Sequence, residues 1–288
     1  MVLALFALFL LLEVSYTTRV ATDAFTSITF KDIDIRIFII VILAVSALLM
    51  RSRLVVLFRM TEVILLLLLI LFLLFGLLSV PNIDLKLFGP LQIKDTVPVL
   101  HGGMGFTMIW TRITFLFFFA DLFSDRQHIQ QMTLANAGFH LIVTPILILV
   151  TVGTLGAEAV SNMPAPYITS TKQISVFNTI ERIEAYIIIL RMVSDIITIV
   201  VYSWIILLIV QHLFRLKQSK PLINIFMVFM YFFALYIGSR YELDYFAENI
   251  LLPASLLLTL GVPAGLLAAG SLQRMRRLRQ PQLRRPNS

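Results

Sequence analysis

The chain has no cysteine in 288 residues, and it has only four histidines, two tryptophans and 14% charged residues. Without cysteine there is no disulfide framework, no cysteine-ligated zinc and no iron–sulfur cluster. His101, His128, His140 and His212 are scattered, and no His-x-x-Glu-His or Glu-x-x-His arrangement accompanies them. No metal site is therefore expected. A Gly-x-Ser-x-Gly elbow, a phosphate-binding P-loop and a dinucleotide fingerprint are also missing, so neither an enzyme nor a cofactor is expected. The shortage of charge excludes most, because soluble domains carry about 25% charged residues. A chain that is 59% hydrophobic, with mean hydropathy +0.94, cannot hide its apolar surface from water. The lipid bilayer is its solvent.

What is present is a series of long apolar runs. A window of about 20 residues crosses the hydrocarbon core, and such windows give eight runs: 2–18, 33–50, 54–80, 97–123, 132–156, 179–214, 222–238 and 250–270. The pattern predicts an all-α, polytopic membrane helix bundle of about eight helices. It forms a single transmembrane domain over 1–271, followed by a basic cytoplasmic tail, 272–288. The third and sixth runs exceed the minimum span and are expected to tilt or project. The first run reads as a span and not as a signal peptide. No Lys or Arg precedes it, it lacks a small-residue cleavage site, and Glu13 interrupts its apolar face. Connections are short except 157–178, whose Asn162, Pro164, Pro166, Ser170 and Thr171 are loop formers.

The cations set the sidedness. Arg51, Arg53, Arg59, Arg126, Arg215, Lys217 and Lys220 fall in one set of alternate loops, together with the arginines of 274–285. Arg19, Lys31, Arg36, Lys86, Lys94, Lys172, Arg182 and Arg240 fall on the other side, among most of the acids. The first set is cytoplasmic by the positive-inside bias, which places both termini inside and agrees with an even number of spans. The net charge of +7 then needs no nucleic-acid partner. Arg274, Arg276, Arg277 and Arg279 directly follow the last span, where anionic headgroups attract each cation by about 1 kcal/mol.

Ionisable groups inside the runs cost at least about 2.5 kcal/mol each and call for a partner or water. Deep in the runs they are Glu13 in the first, Arg112 in the fourth, and Arg191 with Asp195 in the sixth; Glu62, Asp121, Arg182 and Glu184 lie nearer the interfaces. Arg191 and Asp195 are four apart, so they share a helix face and can pair. The fourth run is also broken by Gly102, Gly103 and Gly105 shortly after Pro98. In a membrane this marks an interrupted helix, whose freed backbone groups must face a site and not lipid. Gly103, Gly105, Phe106, Trp110, Thr111 and Arg112 are the candidate ligand-binding residues; Glu13, Arg191 and Asp195 are the candidate intramembrane charge partners. Two readings of Arg112 stay open. Either it locks helices through a charge-assisted bond to Glu13 or Asp195, or it binds the carboxylate of a small anionic or zwitterionic ligand with the amides near the glycines.

Ile174-Ser175-Val176-Phe177-Asn178-Thr179-Ile180-Glu181-Arg182-Ile183-Glu184-Ala185 resembles the corresponding segment of the B-subunit, permease-like family of bacterial spore-germinant receptors. Other pieces fall in the same order: Arg59-Met60-Thr61-Glu62 leads into the leucine-rich third run, Val80-Pro81-Asn82-Ile83-Asp84-Leu85 closes it, and Leu155-Gly156-Ala157-Glu158 ends the fifth. The resemblance extends to about Gly270. It implies membership of the amino acid–polyamine–organocation transporter superfamily, with a LeuT-like fold of ten helices in two inverted five-helix repeats. The first and sixth helices of that fold are interrupted at the binding site. Counted from the C-terminus, the fourth run here resembles that sixth helix, and the chain begins at what resembles the third, an N-terminally truncated bundle. By the same resemblance the function is a membrane sensor in the inner spore membrane. It recognises an amino acid or similar nutrient, acts with an A subunit and a lipoprotein C subunit, and promotes germination. A secondary amino-acid transporter of the same fold is the alternative, and a degenerate, non-functional remnant is a third. Typical members are expected to carry a carboxylate near Arg112 and an aromatic near Arg191, departures that bear on whether their ligand chemistry and charge preference carry over.

Overall fold

In the computed structural model, residues 2–29, 34–89, 96–97, 118–119, 129–163, 166–171, 184–216, 218, 220–265, 267 and 270 are described. The helices are α1 (Val2–Thr29), α2 (Ile35–Leu49), α3 (Leu54–Ser79), α4 (Ile129–Leu155), α5 (Ala157–Ser161), α6 (Pro166–Thr171), α7 (Glu184–Phe214) and α8 (Leu222–Tyr236). The last, α9, runs Arg240–Gly265 and includes two π-helical stretches, Ala247–Leu251 and Leu256–Gly261. There is no strand among the described residues. The protein is a polytopic helical bundle.

Five helices, α1, α3, α4, α7 and α9, are long and apolar enough to cross a membrane. Two differ from their apolar runs. Helix α1 continues past residue 18 to Thr29, because the hydroxyls of Thr18, Thr22 and Thr26 donate back to the carbonyls of Val14, Thr18 and Thr22 at 2.7, 2.7 and 2.9 Å. That bonding hides their polarity within the helix. Helix α9 starts at Arg240 and not near residue 250, because Ser239 and Glu242 form a capping box that nucleates it early. Helices α2 and α8 have 15 residues each, or roughly 22 Å, which is less than the bilayer core. Of the fourth run, Val97, Phe118 and Phe119 are described. Phe118 sits 5.0 Å from Phe6 of α1, and Phe119 5.6 Å from Phe58 of α3.

Helices α1 and α7 pack on each other at the centre, with α2 against both, α8 against α1 and α2, and α3 against α7; α4 lies outside, on α3. The leucine-rich α3 has only 11% of its span buried, against 61% for α7 and 50% for α1. The physical reason is that lipid tails are as apolar as leucine, so nothing is gained by burying a leucine run; packing and polar contacts decide which helix goes inside. Ile39, Ile42, Leu43 and Ser46 of α2, and Ile223, Met227, Met230 and Ala234 of α8, form single buried faces at helical spacing. Their opposite faces, with Ile37, Ile40, Ile225 and Phe232, are exposed and equally apolar. Lipid suits both sides.

Candidate functional site

The inner face of α1 is polar. Ser15, Thr18, Arg19 and Thr22 recur at three- and four-residue steps and are buried, as are Glu13 and Thr17. Arg19, assigned by hydropathy to a loop, lies within the helix with 7% of its surface exposed. Its Nη2 donates to the carbonyl of Gly238, in the turn between α8 and α9, at 2.9 Å. The Gly238 N–H donates in turn to Glu242 Oε2 at 2.7 Å. Asp23, one turn beyond Arg19, lies 3.6 Å from Arg240 Nη1. Asp23 and Glu242 supply the negative charge that acts on Arg19. This network clasps α1 to the start of α9.

A cavity of about 270 Å³ lies between α3, α4, α6 and α7. Leu65, Leu68 and Phe72 from α3, Phe139, Val143 and Leu147 from α4, and Ile187 from α7 make its walls apolar. Polarity enters through Tyr167, Arg191 and Ser194. The proline-led helix α6 carries Tyr167, which Phe72 contacts at 5.8 Å between ring centroids. The Tyr167 hydroxyl is buried and has no hydrogen-bond partner among the described residues. Burial pushes its phenol up to about 12, so the group is a neutral O–H donor at physiological pH. On α7, Arg191 Nε stands 3.8 Å from Asp195 Oδ2, with the guanidinium the more open of the two. The arrangement suits a molecule with an apolar body and an acceptor or anionic end. The volume falls just below the range of about 300–1,000 Å³ for small-ligand cavities, so a ligand here is smaller than drug-sized.

The structure therefore brings Arg191 and Asp195 together, and it puts Arg191 on a cavity. It places Glu13 on the buried face of α1. Gly103, Gly105, Phe106, Trp110, Thr111 and Arg112 lie outside the described residues, as does most of 174–185. Sequence reasoning missed Tyr167, Ser194 and Arg19. For Ser194 a signal existed, since Arg191, Ser194 and Asp195 share one helix face by their spacing. For Tyr167 there was none, because the loop that carries it reads only as loop.

A bundle that is helical throughout its described residues, with five helices long and apolar enough to cross a membrane, defines a polytopic integral membrane protein. Residues 1–241 match the spore permease family model, described as spore germination protein, and the chain belongs to that family. No curated protein and no solved structure gives a significant match to it.

Proposed function

We propose that this chain is the permease-like membrane subunit of a nutrient-germinant receptor, a non-enzymatic sensor of an amino acid or similar small molecule. In this reading it resides in the inner spore membrane with both termini cytoplasmic and acts with an A and a C subunit. The match to the spore germination family over residues 1–241 carries the proposal. The cavity between α3, α4, α6 and α7 supports a ligand whose apolar side chain meets leucines and phenylalanines while its carboxylate meets Arg191. To signal, the ligand must bind one packing of the helices more tightly than another, since equal affinity shifts nothing.

Spores lacking the chain, or carrying Leu68→Trp to fill the cavity, test the proposal through the fall in optical density after challenge with a panel of amino acids. Deletion is expected to abolish the response to at least one nutrient. Leu68→Trp should raise the concentration needed for that nutrient at normal membrane abundance. An unchanged response to every nutrient in the deletion strain sinks the reading. Binding without flux in proteoliposomes supports a sensor, and uptake against a gradient points instead to a transporter. Arg112→Ala separates its two readings: loss of response at normal abundance supports ligand binding, whereas loss of the protein supports helix locking.

A further inference from the structure

Where α2 turns into α3 and α7 passes into α8, a second cavity of about 370 Å³ opens. Its lining is divided by chemistry. Met50, Leu207 and Ile223 are buried and form an apolar floor with Leu54 and Trp204; Arg51, Arg53 and Lys220 stand exposed around the mouth. No acid is among the lining residues. Arg51 Nη2 donates to Asn224 Oδ1 at 2.8 Å, which holds the guanidinium across the mouth and leaves its other donors for a ligand. The starts of α3 and α8 both fall here, and neither has a side-chain cap, so their first-turn amides add to the positive field. Three cations gathered over an apolar floor repel one another unless an anion joins them.

We propose that this cavity binds the phosphate of an anionic phospholipid headgroup, with the glycerol and first acyl carbons resting on Trp204 and Leu207. Free phosphate shares the headgroup chemistry, but it makes no use of the apolar floor. The cations belong to the set that the positive-inside bias assigns to the cytoplasm, the face of the bilayer with anionic lipid. The site is independent of the nutrient cavity, which shares no lining residue with it.

Trp110→Phe leaves Trp204 as the sole tryptophan, because the chain has two. In detergent-solubilised full-length protein, Trp204 emission is expected to change saturably with dihexanoylphosphatidylglycerol and much less with dihexanoylphosphatidylcholine. Removing one cation, by Arg51→Gln, Arg53→Gln or Lys220→Gln, should weaken that binding about five-fold, whereas Lys86→Gln elsewhere should not. Equal affinity for the two lipids overturns the proposal, and this comparison needs no charge variant to fold. Displacement of the lipid by inorganic phosphate at comparable concentration also overturns it, since the ligand would then be the soluble anion. An affinity unmoved in all three well-folded cation variants overturns the assignment of the site.

Discussion

Arg19 and Arg240 belong to one charged cluster, yet their surroundings give them different weights. Arg19 is almost fully buried and donates to a backbone carbonyl across the bundle. The Arg240 side chain is 44% exposed and shares its charge between Asp23 and Asp244. A hydrogen bond from a charged group contributes about 1.5–3 kcal/mol, and exposed ion pairs contribute at most about 1 kcal/mol. Thermal unfolding in one detergent should therefore show Arg19→Ala clearly destabilised and Arg240→Ala only slightly. The reverse order would remove the clasp as an explanation for how α1 is held. Tyr167 makes a prediction of another kind. Its hydroxyl is buried without a partner among the described residues, so Tyr167→Phe should leave stability unchanged or raise it, as thermal unfolding measures. The folded state keeps this phenol protonated up to about 12, whereas the unfolded chain releases the proton near pH 10. The group therefore has no effect on the pH dependence below about pH 10, and stability falls as pH rises from there through about 12. The melting temperature of Tyr167→Phe should fall less than that of the wild type across that window.

At the scale of elements, a close approach between helix and loop is made at Gly153 of α4. A Cβ there would stand 2.8 Å from Ile83 Cγ2, and the Gly153 carbonyl accepts a 2.8 Å bond from the Asp84 N–H. Gly153→Val should destabilise by about 1–3 kcal/mol through overpacking. Ile83→Ala in the same chain should restore much of the loss, as measured by thermal unfolding of the single and double variants. Failure of the second change to rescue would place the damage elsewhere in α4. Just beyond, Gly156 takes φ +83°, the left-handed turn that lets α4 end and α5 begin. Elements were unequally legible at this scale. Helix α3 was plain, since its leucine run is long and the turn at Val80–Asn82 follows a proline signal. The end of α1 was not, because hydropathy counts Thr18 and Arg19 as polar. Only the back-bonded hydroxyl and the distant Gly238 carbonyl make them tolerable inside a helix.

For the whole molecule, the absence of cysteine becomes an experimental advantage, because any introduced cysteine is unique. Ser161, at the end of α5, and Gln218, between α7 and α8, are both exposed. The charge bias predicts opposite faces of the membrane for them. A membrane-impermeant maleimide should label Ser161→Cys in intact cells and Gln218→Cys only after permeabilisation; labelling of both from one side would overturn the sidedness. The two cavities sharpen the same contrast between what is local and what is not. Long apolar runs, scarce charge and unequal loops are properties of neighbouring residues. From them the sequence alone determined the solvent, the helical class and the expected sidedness, and its motifs carried the resemblance to the family. The tertiary structure decided which faces turn inward. Lipid does not sort apolar surfaces, so that choice falls to packing and to polar contacts such as Arg19 with Gly238, separated by 219 positions in the chain.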